Sequence, residues 1–193
     1  MILVKKFEST GKNLHPAGQN RSIYRLPNCY RKFWWRDDGQ VLDEDMVKLK
    51  DHISILKSIN PGYVLDYGKT LQNKLFIDFN IINGTQVSIY VKELDTIYYP
   101  KFIKKIHDFI IENLKQTLPY AQYDWVLSNF LVDKDNINLV DWDNVDIYSK
   151  EDIRKKLHSD MKSENILTDY FINKLDILLK GCSAVGSARA LGA

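Results

Sequence analysis

The sequence predicts an α+β protein whose first part is a small sheet with one helix and whose second part is mainly helical. Within 1–80, short runs rich in aromatic and β-branched residues are typical of strands, and a helical period of apolar residues occurs once. Within 81–180 the helical period dominates. Residues 181–193 change abruptly to Ala, Gly and Ser, which indicates a tail outside the fold.

The predicted strands of the first part are bounded by turn residues. Pro27 and Asn28 separate two of them, and the run 60–62, Asn-Pro-Gly, precedes another. Strands are predicted at 1–7, 22–26, 29–35, 63–67 and 75–79.

The helices carry start and stop signals. The first begins with the acidic run 43–45, which the helix dipole favours, and ends at 60–62. A strongly amphipathic helix is predicted over 102–118 and ends at Pro119. One or two further helices are predicted within 152–179.

Polar residues recur at a chemically meaningful spacing around a predicted hairpin. Two short apolar runs, 130–132 and 137–140, flank a polar turn. A tight hairpin would return Asp141 to the same end as Asn129, with Asp124 in the loop just before it. One carboxylate can orient an attacking hydroxyl, while an amide oxygen and a second carboxylate can hold Mg²⁺ against a nucleotide's phosphates.

An ordinary hairpin would also explain these residues, because Asp and Asn are common in turns. Spacing alone leaves both interpretations open. The order of the elements upstream favours the chemical one.

Over 120–146 the chain resembles the protein-kinase-like superfamily, and most closely its small-molecule kinases: aminoglycoside phosphotransferases, choline kinases and lipopolysaccharide kinases. Their catalytic loop reads His-Gly-Asp, four residues, then Asn, and a strand pair leads to Ile-Asp, an aromatic residue and an acid. Here 122–124 read Gln-Tyr-Asp, Asn129 follows, and 140–143 read Val-Asp-Trp-Asp. The resemblance implies a two-lobed fold, with a small antiparallel-sheet N-lobe carrying one helix at 1–80 and a reduced, mainly helical C-lobe at 81–180.

The resemblance also implies an activity and roles for three residues. Asp124 would be the catalytic base, and Asn129 and Asp141 would be the metal ligands. The protein would use ATP and Mg²⁺ and move the γ-phosphate to a hydroxyl of a small molecule or sugar.

A strand cation is needed to hold the phosphates. Arg31 and Lys32 are both candidates, and they point to opposite faces of their strand. Lys32 would share its face with Tyr30 and Trp34, and Arg31 would share its face with the small Cys29. Lys32 is favoured slightly, and Arg31 stays open.

The remaining nucleotide contacts follow from element order. The helix carboxylate that pairs with the strand cation would be Asp51, with Glu44 as the second candidate. Adenine would bond backbone groups near Asp78 and Asn80, in a segment that resembles the hinge between kinase lobes. A loop over the phosphates would fall within 11–20, which lacks a Gly-x-Gly-x-x-Gly pattern.

Several departures from the family pattern favour alternatives. Gln122 replaces the usual His, Tyr123 replaces the Arg that reads a phosphorylated activation loop, and Val126 replaces a Lys or His near the γ-phosphate. The chain after Asp143 is too short for a full activation segment and the usual helical C-lobe of the family. A pseudokinase that acts as a nucleotide- or protein-binding module is therefore the first alternative, and an unrelated α+β fold is the second.

Composition and charge bear on whether the protein binds nucleic acid, spans a membrane or is secreted. The net charge of +2 comes from dispersed residues, so a nucleic-acid partner is not expected. No long apolar run predicts a membrane span, and no signal peptide is visible. Two cysteines, Cys29 and Cys182, do not form a disulfide framework, and the four histidines lack ligand spacing. We expect a cytoplasmic protein; the acceptor and the oligomeric state do not follow from the sequence.

Overall fold

The computed structural model describes residues 19–36, 41–122, 124–134, 136–142 and 145–181. The chain divides into two compact units, Met1–Ile82 and Asn83–Ala193. The strand predicted at 1–7, the phosphate loop as far as Gly18 and the tail beyond Gly181 lie outside the described residues.

Unit 1 contains a four-stranded antiparallel sheet and one helix, as predicted. The strand order is β1-β2-β4-β3, and each neighbouring pair is antiparallel. Helix α1 connects β2 to β3. The elements are β1 Gln19–Arg25, β2 Tyr30–Arg36, α1 Asp43–Ile59, β3 Val64–Lys69 and β4 Leu75–Phe79.

Helix α1 covers the sheet face that carries Lys32, Ile77 and Tyr67. These residues lie opposite one another across β2, β4 and β3, so their side chains share a face. The Lys57 ammonium of α1 lies 5.6 Å from the centroid of the Tyr67 ring, which identifies this face as the covered one. The buried side chains of α1 are Asp45, Leu49, Ile53 and Leu56.

The opposite face of the sheet carries a part-buried ion pair. Arg31 Nε and Nη2 donate to the two carboxylate oxygens of Asp78, each at 2.6 Å. The guanidinium carbon also lies 4.2 Å from the centroid of the Phe76 ring. The Asp78 side chain is only 9% exposed, so this is a partly desolvated, two-bonded pair rather than a surface contact.

Unit 2 consists of helices around a short hairpin. A three-stranded sheet has the order β5-β7-β8, and a second sheet pairs β6 with β9. The strands are β5 Thr85–Gln86, β6 Tyr120–Ala121, β7 Phe130–Asp133, β8 Asn136–Leu139 and β9 Asp146–Ile147. The helices are α2 Val87–Glu93, α3 Tyr99–Thr117, α4 Lys150–Ser163 and α5 Asp169–Gly181, and a 3₁₀ turn spans Leu127–Asn129.

The core of unit 2 forms on the apolar stripe of α3. Ile106, Ile110 and Leu114, spaced three or four residues apart on one face, have no exposed surface. Phe130 at the start of β7 is equally buried and contacts the Phe109 ring edge to face at 6.0 Å. This packing anchors the hairpin to the helix that precedes it in the chain.

None of the helices in the described part of the chain is both long and apolar enough to cross a bilayer.

A buried histidine joins α3 to the start of α5. His107 is 1% exposed, its Nε2 lies 2.7 Å from the Ile166 carbonyl oxygen, and its ring stacks at 4.7 Å on Phe171. Burial lowers the pKa of His107 below 6.5, against the opposing effects of the Ile166 carbonyl and the nearby Asp108 charge. The native state therefore favours the neutral ring.

Asp108 forms a second contact between α3 and α5. Its carboxylate accepts hydrogen bonds from Lys104 at 2.8 Å, from Lys174 at 3.2 Å and from the Tyr170 hydroxyl. Partial burial would raise the pKa of Asp108, but these donors and the Lys174 charge outweigh it and lower the pKa to about 2. This carboxylate thus titrates well below the range of His107.

We expect stability to fall as the pH drops below 6.5, because the unfolded chain then binds a proton that native His107 resists. His107→Gln keeps an amide donor for the Ile166 carbonyl but does not titrate. Melting temperatures between about pH 7.5 and 5.5 should decline less steeply for the variant than for the wild type. Equal slopes in the two proteins would show that His107 does not cause the decline.

Candidate active site

The loop between β6 and β7 brings together two of the predicted site residues. Asn129 Nδ2 donates to the backbone carbonyl of Asp124 at 3.1 Å and to its Oδ2 at 3.3 Å. Asn129 is buried, whereas the Asp124 side chain is 40% exposed. The amide nitrogen therefore positions the loop, and the Asp124 carboxylate remains open to a reactant.

Asp141 follows the point where the hairpin returns to Asn129. The Val140 amide donates to the Asn129 carbonyl at 2.8 Å, so the residue before Asp141 is bonded to the loop. Asp141 has a φ of 60°, in the left-handed region that Asp tolerates better than most residues. The structure thus brings Asp141 next to Asn129, as the hairpin predicted.

Gln122 holds the two ends of this site together. It is 1% exposed, and its Nε2 donates to the Asp141 carbonyl oxygen at 2.5 Å. A residue that departs from the family pattern thus supplies a buried hydrogen bond between the loop and the hairpin.

Alternating burial orients the side chains of the loop. Trp125 and Leu127 are 1% and 3% exposed, and the Trp125 ring lies 6.3 Å from the Phe130 ring. The backbone at Val126 is extended, so Asp124 and Val126 point away from the buried pair. The apolar anchors therefore fix where the Asp124 carboxylate lies.

Asp160 of α4 and Glu164, the residue that caps the C-terminus of α4, bind the loop backbone. Asp160 Oδ2 accepts from the Trp125 amide at 3.1 Å, and Glu164 Oε1 accepts from the Leu127 amide at 3.2 Å. Bonds between a carboxylate and a backbone N–H are stronger than neutral ones. These two hydrogen bonds thus hold the backbone of the loop against the end of α4.

Lys156 of α4 completes the group around Asp124. Its Nζ lies 2.5 Å from Asp160 Oδ1 and 4.0 Å from Asp124 Oδ1. Lys156, Asp160 and Glu164 were not predicted as site residues. Lys156 and Asp160 are four residues apart and share a face of α4, and Glu164 continues this spacing at the C-cap; the sequence carries no other signal for them.

The donor chemistry fits a magnesium ion that is shared with a ligand. Because Asn129 Nδ2 is directed at Asp124, the Oδ1 of that amide is the atom that remains for a cation. Asp141 comes one residue after Val140, whose amide is bonded to the Asn129 carbonyl, so a carboxylate-bearing residue lies next to Asn129 in the fold. Among the described residues no three His, Cys, Asp or Glu side chains cluster, so protein groups alone do not form a cage there. Mg²⁺ is commonly held by one or two side chains together with phosphates.

In unit 1 the two candidate cations lie on opposite faces of the sheet. Arg31 is bonded to Asp78, and Lys32 is 6% exposed on the face that α1 covers. Asp78 lies within β4 between two other strands, rather than in the connection that follows β4. The backbone N–H of Asn80 donates to the Tyr63 carbonyl at 2.8 Å.

The acids of α1 are arranged differently from the prediction. Asp51 and Glu44 are exposed, so neither faces the sheet. Asp45 is 6% exposed and lies on the same stripe as Leu49 and Ile53. Its Oδ2 accepts from the Leu42 amide at 3.0 Å, which caps the helix.

No protein-family model matches this chain, and no curated protein matches it. Solved structures do match, and among them is WaaP in complex with acyl carrier protein. The alignment covers 86% of this chain and 76% of that chain, with 12% sequence identity and a TM-score of 0.56. WaaP is a lipopolysaccharide kinase. The likeness confirms the predicted α+β, kinase-like fold class.

Proposed function

We propose that this protein is a phosphotransferase that uses ATP and Mg²⁺ and acts on the hydroxyl of a small molecule or sugar. The observation that carries the proposal is the bonded group of Asp124, Asn129 and the hairpin end at Asp141. In support of it, the exposed Asp124 carboxylate is bonded to the buried Asn129 amide, and Asp141 follows the residue whose N–H bonds the Asn129 carbonyl. A kinase-like fold makes phosphoryl transfer the chemistry that this arrangement suits best.

Asp124 acts as the base in the proposed reaction. The acceptor oxygen attacks the γ-phosphorus, and its proton passes to the Asp124 carboxylate. The bond from the γ-phosphorus to the bridging oxygen breaks, and its electron pair leaves with ADP. The exposure of Asp124 and the bond from Asn129 suit a carboxylate that must meet a reactant in one orientation.

Asn129 and Asp141 hold the magnesium ion in this proposal. A bound Mg²⁺ neutralises phosphate charge. The chain's own contribution is to fix the two ligands, through the Asn129 bonds to the loop and the Gln122 bond to the Asp141 carbonyl.

In unit 1 we assign the phosphate-binding cation to Lys32. Arg31 is already committed to Asp78, whereas Lys32 lies on the face covered by α1. We assign its carboxylate partner to Asp45 in place of Asp51, because Asp45 lies on the buried stripe of α1. For the adenine contact, Asn80 and the residues after it are better placed than Asp78, which lies inside the sheet.

A pseudokinase is the second candidate, and Val126 favours it. An aliphatic side chain at that loop position supplies no charge to the transferring phosphoryl group. Such a protein would act as a nucleotide- or protein-binding module without turnover.

The first test is the melting temperature with ATP, with and without Mg²⁺. A ligand at a hundredfold excess over its Kd adds about 2.7 kcal/mol, which raises the melting temperature by roughly 5–10 °C in a chain of this size. We expect a magnesium-dependent rise in the wild type that is lost in Asp141→Gly, since glycine keeps the φ of 60° and removes the carboxylate.

Asp133→Ala is the matched control, because it removes an exposed acid from the same hairpin. A rise that persists in Asp141→Gly would refute the metal assignment, and no rise in the wild type would refute nucleotide binding. Release of ADP with a panel of sugars and amino alcohols then separates the kinase from the pseudokinase.

A further inference from the structure

Helix α4 places a cation beside Asp124, where the loop itself has none. Lys156 Nζ lies 4.0 Å from Asp124 Oδ1, and the loop residue on the same side as Asp124 is the uncharged Val126. We propose that Lys156 is a catalytic residue whose ammonium contacts a non-bridging oxygen of the transferring γ-phosphoryl group. This inference rests on the proposed phosphotransferase function.

The position of the Lys156 ammonium is fixed by the group that holds the loop. Asp160 uses Oδ1 for Lys156 at 2.5 Å and Oδ2 for the Trp125 amide at 3.1 Å. One buried carboxylate thus sets both the cation and the residue next to Asp124. Such a shared anchor keeps the distance between Lys156 and Asp124 small without a direct hydrogen bond.

The exposed fractions of the neighbouring lysines of α4 also favour Lys156 for this role. It is 24% exposed, so most of the side chain is held against the protein and part of it remains in contact with solvent. Its neighbour Lys155 is 69% exposed and forms an ion pair with Glu151, which is an ordinary solvated contact.

Local charge shows why this cation matters. Asp124 and Asp160, the two carboxylates within 4.0 Å of the Lys156 ammonium, contribute two negative charges, so these three side chains carry a net charge of −1. Without Lys156 the anionic γ-phosphate would meet two uncompensated carboxylates. Electrostatic groups that are already in place as charge shifts are a major source of catalysis.

Each part of the transfer step then has a group that serves it. The acceptor oxygen forms a bond to the γ-phosphorus, its proton goes to Asp124, and the bond to the bridging oxygen breaks with its electrons leaving on ADP. Lys156 donates a hydrogen bond to the transferring group throughout and neither gains nor loses a proton.

The experiment measures slow hydrolysis of MgATP, in which water replaces the unidentified acceptor. The variants are Lys156→Met, which keeps length without charge, Lys156→Arg, and Lys155→Met as the matched control. A double variant, Val126→Lys with Lys156→Met, moves the cation into the loop. Melting temperature with and without MgATP is recorded for each, so that folding and nucleotide binding are followed separately from turnover.

We expect Lys156→Met to lower kcat about 10²–10³-fold with little change in KM or in stabilisation by MgATP. The kcat of Lys156→Arg and of the double variant should be at least tenfold higher than that of Lys156→Met. The kcat of Lys155→Met should match that of the wild type. Recovery by a cation placed in the loop separates a catalytic charge from a structural partner of Asp160.

Each other outcome overturns a defined claim. If the wild type hydrolyses MgATP and Lys156→Met is equally fast, this inference fails and the phosphotransferase stands. If Lys156→Met is slow and the double variant stays slow, Lys156 acts only by positioning the loop. If the wild type shows neither stabilisation by MgATP nor turnover, the proposed function fails, and this inference fails with it.

Discussion

Asp124→Asn will lower phosphoryl transfer on the order of 10³-fold while leaving the fold and MgATP binding in place. The loss follows from removing the base, since general-base catalysis contributes about 10²–10⁴ in rate. The fold should survive because Asn offers a side-chain oxygen to Asn129 Nδ2, and the second bond from that nitrogen goes to the backbone carbonyl of residue 124. The measurement is ADP release under saturating MgATP, together with the melting temperature.

Asp133→Asn is the control for this variant, because it makes the same chemical change on the exposed end of the hairpin. It should leave the rate unaltered. An Asp124→Asn protein that keeps the wild-type rate would show that another group accepts the proton.

Asp78→Ala will destabilise the protein by about 3 kcal/mol. Removing one partner of a fully buried ion pair costs about 3–5 kcal/mol, because the other charge is left desolvated. Arg31 is 29% exposed and therefore only partly desolvated, which places this site at the lower end. Urea unfolding followed by tryptophan fluorescence measures the change in unfolding free energy.

The double variant Arg31→Met/Asp78→Leu tests the cause of that loss. Replacing both charges by apolar side chains removes the unpaired group, so we expect it to recover most of the stability lost in Asp78→Ala. If the double variant is as unstable as the single one, packing around Phe76 rather than the unpaired charge causes the effect.

The fold was predictable where a single periodic signal dominated. The apolar stripe of α3 and the hairpin of β7 and β8 follow from residue pattern alone, because each buries one face against a neighbour. Helix α2 was not predicted. It has seven residues and one buried side chain, Val87, so its sequence carries almost no amphipathic pattern.

Only those residues of the candidate site that lie close together in the sequence could be predicted. Asp124, Asn129 and Asp141 lie in one continuous stretch, so their spacing carried the prediction. Lys156 and Asp160 reach the same loop from a helix about thirty residues further on, through contacts that tertiary packing creates. No local pattern marks a surface lysine as the neighbour of a distant carboxylate.

The prediction of Asp51, with Glu44 as the second candidate, shows a different limit, because the buried acid of α1 is Asp45. Asp51 was chosen by its position relative to the helix end, whereas burial depends on the angle around the helix axis. The stripe through Leu49 and Ile53 includes Asp45 and leaves Asp51 exposed. Angular position follows from the apolar period and is the better criterion for an inward-facing acid.

Gln122 determines how the hydrogen bond between the loop and the hairpin depends on pH. An imidazole at this place would change its charge near neutrality and could then alter its bond to the Asp141 carbonyl. A carboxamide has no such transition, so the 2.5 Å link between loop and hairpin is insensitive to protons over the whole physiological range. The hydrogen bond that joins the loop to the hairpin at the candidate site therefore does not depend on pH.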